Sequence, residues 1–71
     1  MLHRRIEQFL RRSGMKPARF GRNVLRDPQL VFDLRRGREL RPASEQRIRA
    51  WLDEQEALLR SAEAYGRAEA A

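Results

Sequence analysis

The stretch PARFGRNVLRDPQLVFDLRRG, residues 17–37, decides the fold of this chain. In its first half, Phe20 and Val24 stand one helical turn apart, so their side chains share one face of a short helix. Each half begins with a proline, which is tolerated at the first position of a helix because an N–H group there has no helical partner. The stretch therefore predicts two consecutive helices, Pro17–Leu25 and Pro28–Arg36.

The second of these helices carries signals at both ends and along its inner face. Asp27 is a favoured N-cap residue, and Gly37 is a favoured residue just beyond a C-terminus. Leu30, Val31 and Leu34 recur at helical spacing and are expected to face the core.

Gly21 lies in the middle of the first of these helices, where glycine costs about 1 kcal/mol relative to alanine. A glycine in such a place indicates that another part of the chain approaches closely. We therefore expect the two helices to cross at Gly21.

Two further helices are expected outside this stretch. The first, Leu2–Arg12, has one apolar stripe and ends at Ser13-Gly14. A long helix starts near Pro42, after a loop. The chain is thus predicted to be all-α, a compact helix-turn-helix bundle of three short helices and a long C-terminal fourth. Its domain would span residues 1–55, and residues 56–71 would form a helical extension with a frayed tail.

Charge is distributed unevenly along the 71 residues, which have a net charge of +6 and contain no cysteine. Residues 1–42 hold twelve Lys or Arg against four Asp or Glu, whereas residues 43–71 hold four against six. A basic front half suggests a surface for a polyanion. No apolar run is long enough for a membrane span, and no secretion signal is evident, so a cytoplasmic location is expected.

Residues 2–55 resemble lambda-repressor-like (Cro- or XRE-type) helix-turn-helix domains. The resemblance rests on Phe20-Gly21, on Val24, on Val31 and Leu34 at the family's spacing, and on the run Leu34-Arg-Arg-Gly-Arg38. It departs in the turn, where the family usually has a glycine and then an apolar residue but this chain has Leu25 and Arg26. Lys16 stands where that family usually has a serine or threonine cap.

The resemblance implies a sequence-specific double-stranded DNA-binding protein of bacterial or phage type. Such a protein would regulate transcription at the nucleoid and insert the helix Pro28–Arg36 into the major groove. Glutamine suits an adenine edge, arginine a guanine edge, and phenylalanine a thymine methyl group. The outward residues expected to read bases are Gln29, Phe32, Asp33 and Arg36. The alternative is that Phe32 joins the core and Arg36 is only solvated.

Backbone phosphates require cations around the reading helix, which fix its register without reading sequence. The expected phosphate contacts are Lys16, Arg19, Arg22, Arg35, Arg38 and Arg41. The first helix carries Arg4, Arg5, Arg11 and Arg12 on its outer face, and most of these four are expected to be solvated.

The fourth helix has apolar or neutral residues at alternating spacings of four and three, a pattern typical of a helix–helix seam. This pattern favours a homodimer, and the predicted contact residues are Trp51, Leu52, Gln55, Leu58 and Leu59. The alternative is that Ile48, Trp51 and Leu52 close the core and that the rest of the helix is an extension. A second hypothesis for function uses the same helix as a protein-interaction surface, in an antitoxin, a phage inhibitor or an adaptor that binds RNA polymerase.

Residues for enzymatic chemistry are sparse. The single histidine, His3, lies near the N-terminus, and the acidic residues Asp53, Glu54 and Glu56 are expected to form a solvated face. We therefore expect no catalytic activity, no metal site and no cofactor.

Overall fold

The computed structural model describes the backbone of residues 1–70 and the side chains of residues 1–64. It is all-α, as predicted, and the described residues contain no strand. The tail that is predicted to fray lies mostly after residue 64, outside the described side chains. The helices are α1 (Leu2–Ser13), α2 (Pro17–Leu25), α3 (Leu30–Arg35) and α4 (Pro42–Ala70).

All four helices contribute to one apolar core. The inner stripes predicted from the sequence are confirmed, since the recurring apolar residues of each short helix are buried. The front of α4 completes the core with two side chains that have no accessible surface, Ile48 and Leu52. The buried apolar residues are Leu2, Ile6, Phe9, Leu10, Phe20, Val24, Leu30, Val31, Leu34, Ile48 and Leu52.

Three aromatic rings join α1, α2 and α4 at the centre of the molecule. The ring centroid of Trp51 lies 5.4 Å from that of Phe9 and 5.2 Å from that of Phe20, both in edge-to-face geometry. The rings of Phe9 and Phe20 are 6.0 Å apart. Such pairs add about 0.5–1.5 kcal/mol each beyond the burial of their area. The cluster therefore fixes α2, and with it the start of residues 17–37, against a rigid support.

Ion pairs fasten α1 to the long helix. Arg5 donates to both oxygens of Glu56, at 3.0 and 3.2 Å, and also pairs with Asp53. Arg12, two turns further on, donates to both oxygens of Glu63 at 3.0 and 2.9 Å. Because both members of the pairs advance by seven residues, α1 and α4 run parallel. The expectation of solvation is therefore wrong for Arg5 and Arg12 and for their partners Asp53 and Glu56, because tertiary packing brings the two charged faces together. Arg4, Arg11 and Glu54 are exposed.

The close approach predicted at Gly21 is confirmed. A Cβ atom added to Gly21 would lie 2.1 Å from the backbone oxygen of Asp27 and 3.0 Å from the Cβ of Leu30. No side chain fits in that space, so glycine is required where α2 meets the turn and the start of α3.

The start of α3 differs from the prediction. Residues 28 and 29 form a turn, in which the Leu30 N–H donates to the Asp27 carbonyl at 3.1 Å. The Asp27 side chain accepts the Gln29 N–H at 3.0 Å and so caps this turn. The α-helix therefore begins at Leu30 rather than Pro28, because Asp27 and Pro28 favour a tight turn before the helix.

The end of α3 follows the predicted glycine stop. Gly37 has a φ of 100°, in the region that favours glycine. Its N–H donates to the Leu34 carbonyl at 3.1 Å, and the Arg38 N–H donates to the Asp33 carbonyl at 2.9 Å. This pair of bonds is a Schellman motif, which closes the helix and directs the chain into the loop before α4.

Candidate nucleic-acid interface

The outer face of α3, together with its capping residues Gln29 and Arg36, presents three of the residues predicted to read bases. Gln29, Phe32 and Arg36 are exposed, and 36% of the surface of Phe32 is accessible. The alternative in which Phe32 belongs to the core is therefore wrong. The inner face of the same helix is fully packed, so rotation of α3 that would hide these side chains is opposed by core packing.

The turn that precedes α3 is closed by a residue in a costly conformation. Arg26 has a φ of 54°, in the left-handed region that residues other than glycine rarely adopt. Its N–H donates to the Arg22 carbonyl at 3.0 Å, and the Asp27 N–H donates to the Gly21 carbonyl at 3.0 Å. Arg26, one residue after the place where the lambda-repressor-like pattern has its glycine, thus adopts the left-handed conformation, and α2 still ends in a glycine-type cap.

Arg35, predicted to contact phosphate, is held by α1. Its Nε and Nη2 atoms donate to the two oxygens of Glu7 at 2.7 and 2.9 Å. The Arg35 hydrogen bond lowers the pKa of Glu7 to about 2, and His3 adds a further bond at 3.1 Å. The Arg35 guanidinium carbon also lies 5.8 Å from the centroid of the Phe32 ring. Arg35 therefore connects α1 to the outer face of α3.

Arg38, also predicted to contact phosphate, clamps the loop after α3 to the turn before it. Its Nη1 lies 2.7 Å from an oxygen of Asp27 and 3.3 Å from an oxygen of Asp33. The bond from Arg38, helped by the Gln29 N–H, holds the pKa of Asp27 below its usual range. Asp33 was predicted to read bases, but its carboxylate points to Arg38 and its carbonyl accepts the closing bond of α3.

The remaining predicted phosphate contacts have no carboxylate partner among the described side chains. Lys16 and Arg19 line a shallow depression at the start of α2, together with Ser13. Arg41 lines a second depression in the loop before α4, and Arg22 is exposed on α2. Cations without an ion-pair partner within the described part of the chain are Arg4, Arg11, Lys16, Arg19, Arg22, Arg26, Arg36, Arg41, Arg47 and Arg60.

Glu7 and Asp27 were not identified as site residues from the sequence. Glu7 is the only acidic residue of α1, which otherwise carries four arginines, and that isolation is the signal that singles it out. Its partner Arg35 lies 28 residues away, so helical spacing alone gives no indication of the pair.

The residues predicted to form a dimer interface are largely used within the chain. Leu52 has no accessible surface, so the prediction that it contacts a partner is wrong. Trp51 and Leu59 pack against the core, and Gln55 is half-buried. Leu58 alone of this set is exposed, with 59% of its surface accessible. The spacing of four and three residues on α4 therefore corresponds, for its front part, to packing inside one chain.

The described residues contain no group of three or more His, Cys, Asp or Glu side chains arranged to hold a metal ion. Within the same residues, no helix combines the length and the apolar character that crossing a membrane requires.

Comparisons with protein-family models, curated proteins and solved structures find no match to this chain. The resemblance to lambda-repressor-like domains therefore stays a prediction.

Proposed function

We propose that this chain binds double-stranded DNA and reads its sequence with α3 in the major groove, as a small transcription regulator acting at the nucleoid. The observation that carries the proposal is the outer face of α3, where Gln29, Phe32 and Arg36 are exposed above a fully packed inner face. A six-residue helix is about 9 Å long. The B-DNA major groove, about 12 Å wide, admits such an element.

The charges around α3 support this function. The carboxylates of Glu7, Asp27 and Asp33 are each paired with an arginine of the chain, which reduces their repulsion of a polyanion. Arg36 at the end of α3 has no such partner, so its guanidinium is available for a guanine edge. These three carboxylates are thus neutralised internally, while Arg36 on the outer face is not; Glu39, in the loop after α3, is exposed.

We infer two roles for the predicted contacts from the presence or absence of ion pairs within the chain. Lys16, Arg19, Arg22 and Arg41 have no internal partner and are the proposed phosphate contacts. Asp33, Arg35 and Arg38 are proposed to hold the reading helix in place rather than to touch DNA, since each is already in an ion pair. A reading helix has to be rigid, because small displacements of side chains at base edges remove hydrogen bonds.

The second hypothesis, a protein-interaction module built on α4, has less support. Its contact surface would consist of Trp51, Leu58 and Leu59, but Trp51 and Leu59 pack against the core of the same chain. A partner would find Leu58 as the only large exposed apolar side chain among the described residues of α4.

Selection of bound sites from a random pool of DNA duplexes tests the proposal. Enrichment of a motif is expected for the parent protein, and the enrichment is expected to disappear for Arg36→Ala at the position that Arg36 reads. Recovery of a random pool by the parent would contradict the proposal. In that case, a protein partner that binds the parent and the Arg36→Ala variant equally well would favour the interaction module.

A further inference from the structure

A further depression, distinct from those of Lys16 with Arg19 and of Arg41, lies at the C-terminal end of α2, beside α4. Its lining residues are Asn23, Val24, Leu25, Arg26 and Arg47. None of these carries an acidic side chain, and neither arginine has an ion-pair partner among the described residues. The fold thus brings two like charges to one concave surface without a compensating charge.

The other depressions of the chain that are lined by cations differ in whether an acidic side chain lies with them. The depression between α1 and α4 is also lined by two arginines, Arg5 and Arg12, but Glu56 lines it with them and pairs with Arg5. The depression of Lys16 and Arg19, by contrast, contains only cations among its charged groups. An uncompensated cationic depression is therefore shared by Lys16 with Arg19 and by Arg26 with Arg47, whereas the depression of Arg41 also contains Glu39.

The backbone of Arg26 provides a second, independent observation. Its left-handed conformation is one that glycine adopts at no steric cost, so arginine at this position lowers the stability of the fold. Strain of this kind is often found at functional sites. The side chain of Arg26 makes no hydrogen bond or ion pair within the described part of the chain that would offset the cost.

The surroundings lessen the cost of placing an anion at the C-terminal end of α2. The carbonyls of Gly21 and Arg22, at the negative end of α2, accept the N–H groups of Asp27 and Arg26. This pairing reduces the repulsion that a helix C-terminus exerts on an anion. The Asn23 amide has no other hydrogen bond in the described chain and can add a neutral donor to the two guanidinium groups.

We propose that Asn23, Arg26 and Arg47 form a phosphate-binding site. Guanidinium forks match the oxygens of a phosphate group, and two of them with an amide donor can bind three oxygens at once. The site lies outside the phosphate contacts predicted from the sequence. The phosphate belongs either to the DNA backbone or to a free phosphate anion. The first assignment rests on the proposed function, and the second does not.

The position of the site along α2 favours the DNA backbone as the source. Arg19 and Asn23 are four residues apart and share one face of the helix, and Arg26 follows at the end of that face. From Arg19 to Arg26 the helix axis advances about 10 Å. A sugar–phosphate backbone lying along this face would meet both cationic depressions.

The duplex arm of the test uses a random-sequence DNA duplex and measures affinity between about 50 and 200 mM salt. The variants are Arg47→Gln and Arg26→Gly, and the second removes the cation while relieving the backbone strain. Each is expected to weaken binding roughly tenfold and to reduce the salt slope by about 0.9, the contribution of one phosphate contact. Arg60→Gln, an equal loss of charge at an exposed and unpaired position of α4, is expected to leave the slope unchanged.

The free-anion arm uses inorganic phosphate and follows the Nε–Hε resonances of Arg26 and Arg47 by NMR, with chloride at matched ionic strength as the reference. Saturable shifts in the parent that disappear in Arg47→Gln would identify the phosphate site. This result would hold even if the parent bound no duplex, so the site can be confirmed when the proposed function fails. A change of slope without such shifts would assign the site to backbone phosphodiesters. If neither arm distinguishes the two variants from Arg60→Gln, the site does not exist.

Discussion

The carboxylate of Glu7 in α1 accepts two hydrogen bonds from the guanidinium of Arg35 in α3, at 2.7 and 2.9 Å. The two residues are 28 positions apart in the chain, so this pair fixes the orientation of α3 relative to the first helix. The same guanidinium lies over the exposed Phe32 ring. Removal of the Glu7 carboxylate should therefore affect both the stability of the fold and the outer face of α3.

Glu7→Gln is expected to lower the free energy of unfolding by about 0.5–1 kcal/mol near pH 7, the range for a good ion pair that solvent partly screens. Because Arg35 lowers the pKa of Glu7 from 4.5 to about 2, this stabilisation is fully present above pH 4.5. It is lost progressively as the pH falls from 4.5 through 2, and below that pH the carboxylate is protonated in both the folded and the unfolded state. Urea unfolding of parent and variant at a series of pH values measures the difference.

Glu54→Gln is the matched control, because Glu54 is exposed and has no ion pair among the described residues. Its difference from the parent should be small and nearly independent of pH. If the difference between the parent and Glu7→Gln were the same at pH 3 as at pH 6, the pair with Arg35 would not exist in solution.

Gly21→Ala is expected to destabilise the fold by about 3 kcal/mol, at the upper end of what overpacking costs. The added methyl group would lie 2.1 Å from the Asp27 backbone oxygen, which cannot move without opening the turn. In a helix without this contact, the same substitution would instead add about 1 kcal/mol of stability. Chemical denaturation measures the change, with Arg22→Ala on the exposed side of α2 as the control expected to stay within about 0.5 kcal/mol. A stabilised Gly21→Ala would contradict the close crossing.

Arg26→Gly is expected to raise the free energy of unfolding by about 0.5–1 kcal/mol. Glycine adopts the left-handed φ of 54° without the clash that a Cβ atom causes, and the entropy it gains in the unfolded chain offsets only part of that benefit. Gly37→Ala is the reverse experiment, because Gly37 has a φ of 100° and open space around its Cβ position. That variant is expected to lose about 1 kcal/mol. Thermal and urea unfolding of the two variants should therefore shift in opposite directions.

The helices and the inner faces of the short helices were predictable because they follow from local spacing. Pro17 and Leu25 bound α2 as predicted, and Gly21 was recognised as a crossing residue from its cost in a helix. The start of α3 was missed by two residues, because the Asp27 side chain and Pro28 favour a turn that competes with the first turn of a helix. Because the local signals for a turn and for a helix are of nearly equal strength there, the sequence does not fix the first residue of the helix.

The ion pairs and the partner of α4 could not be predicted from spacing. The seam residues of α4 recur at spacings of four and three whether they face a second copy of the chain or α1 of the same chain. The choice depends on the Phe9, Phe20 and Trp51 cluster, which forms only when the helices pack. In the same way, Arg35 and Arg38 were identified as cations near the reading helix, but their carboxylate partners come from the tertiary fold.

Arg36→Ala and Arg22→Ala separate base reading from phosphate contact. Arg36 lies at the end of α3 on its outer face, so its loss is expected to cost about 1–3 kcal/mol at the base pair that it reads and little on random DNA. Arg22, exposed on α2, is expected to contribute to every sequence alike. Its loss should reduce the salt slope by about 0.9 and leave the ratio of specific to random affinity unchanged.

Titration of each variant with the selected duplex and with a random duplex, at several salt concentrations, measures both quantities together. Arg60→Ala provides the control for net charge, since Arg60 is exposed on α4 and unpaired. If each substitution acted only by removing one positive charge, all three variants would bind both duplexes more weakly by the same factor. Such a result would mean that α3 does not read bases and that binding is electrostatic alone. A loss of discrimination confined to Arg36→Ala is the pattern that only a helix docked in the groove produces, because phosphate contacts carry no sequence information.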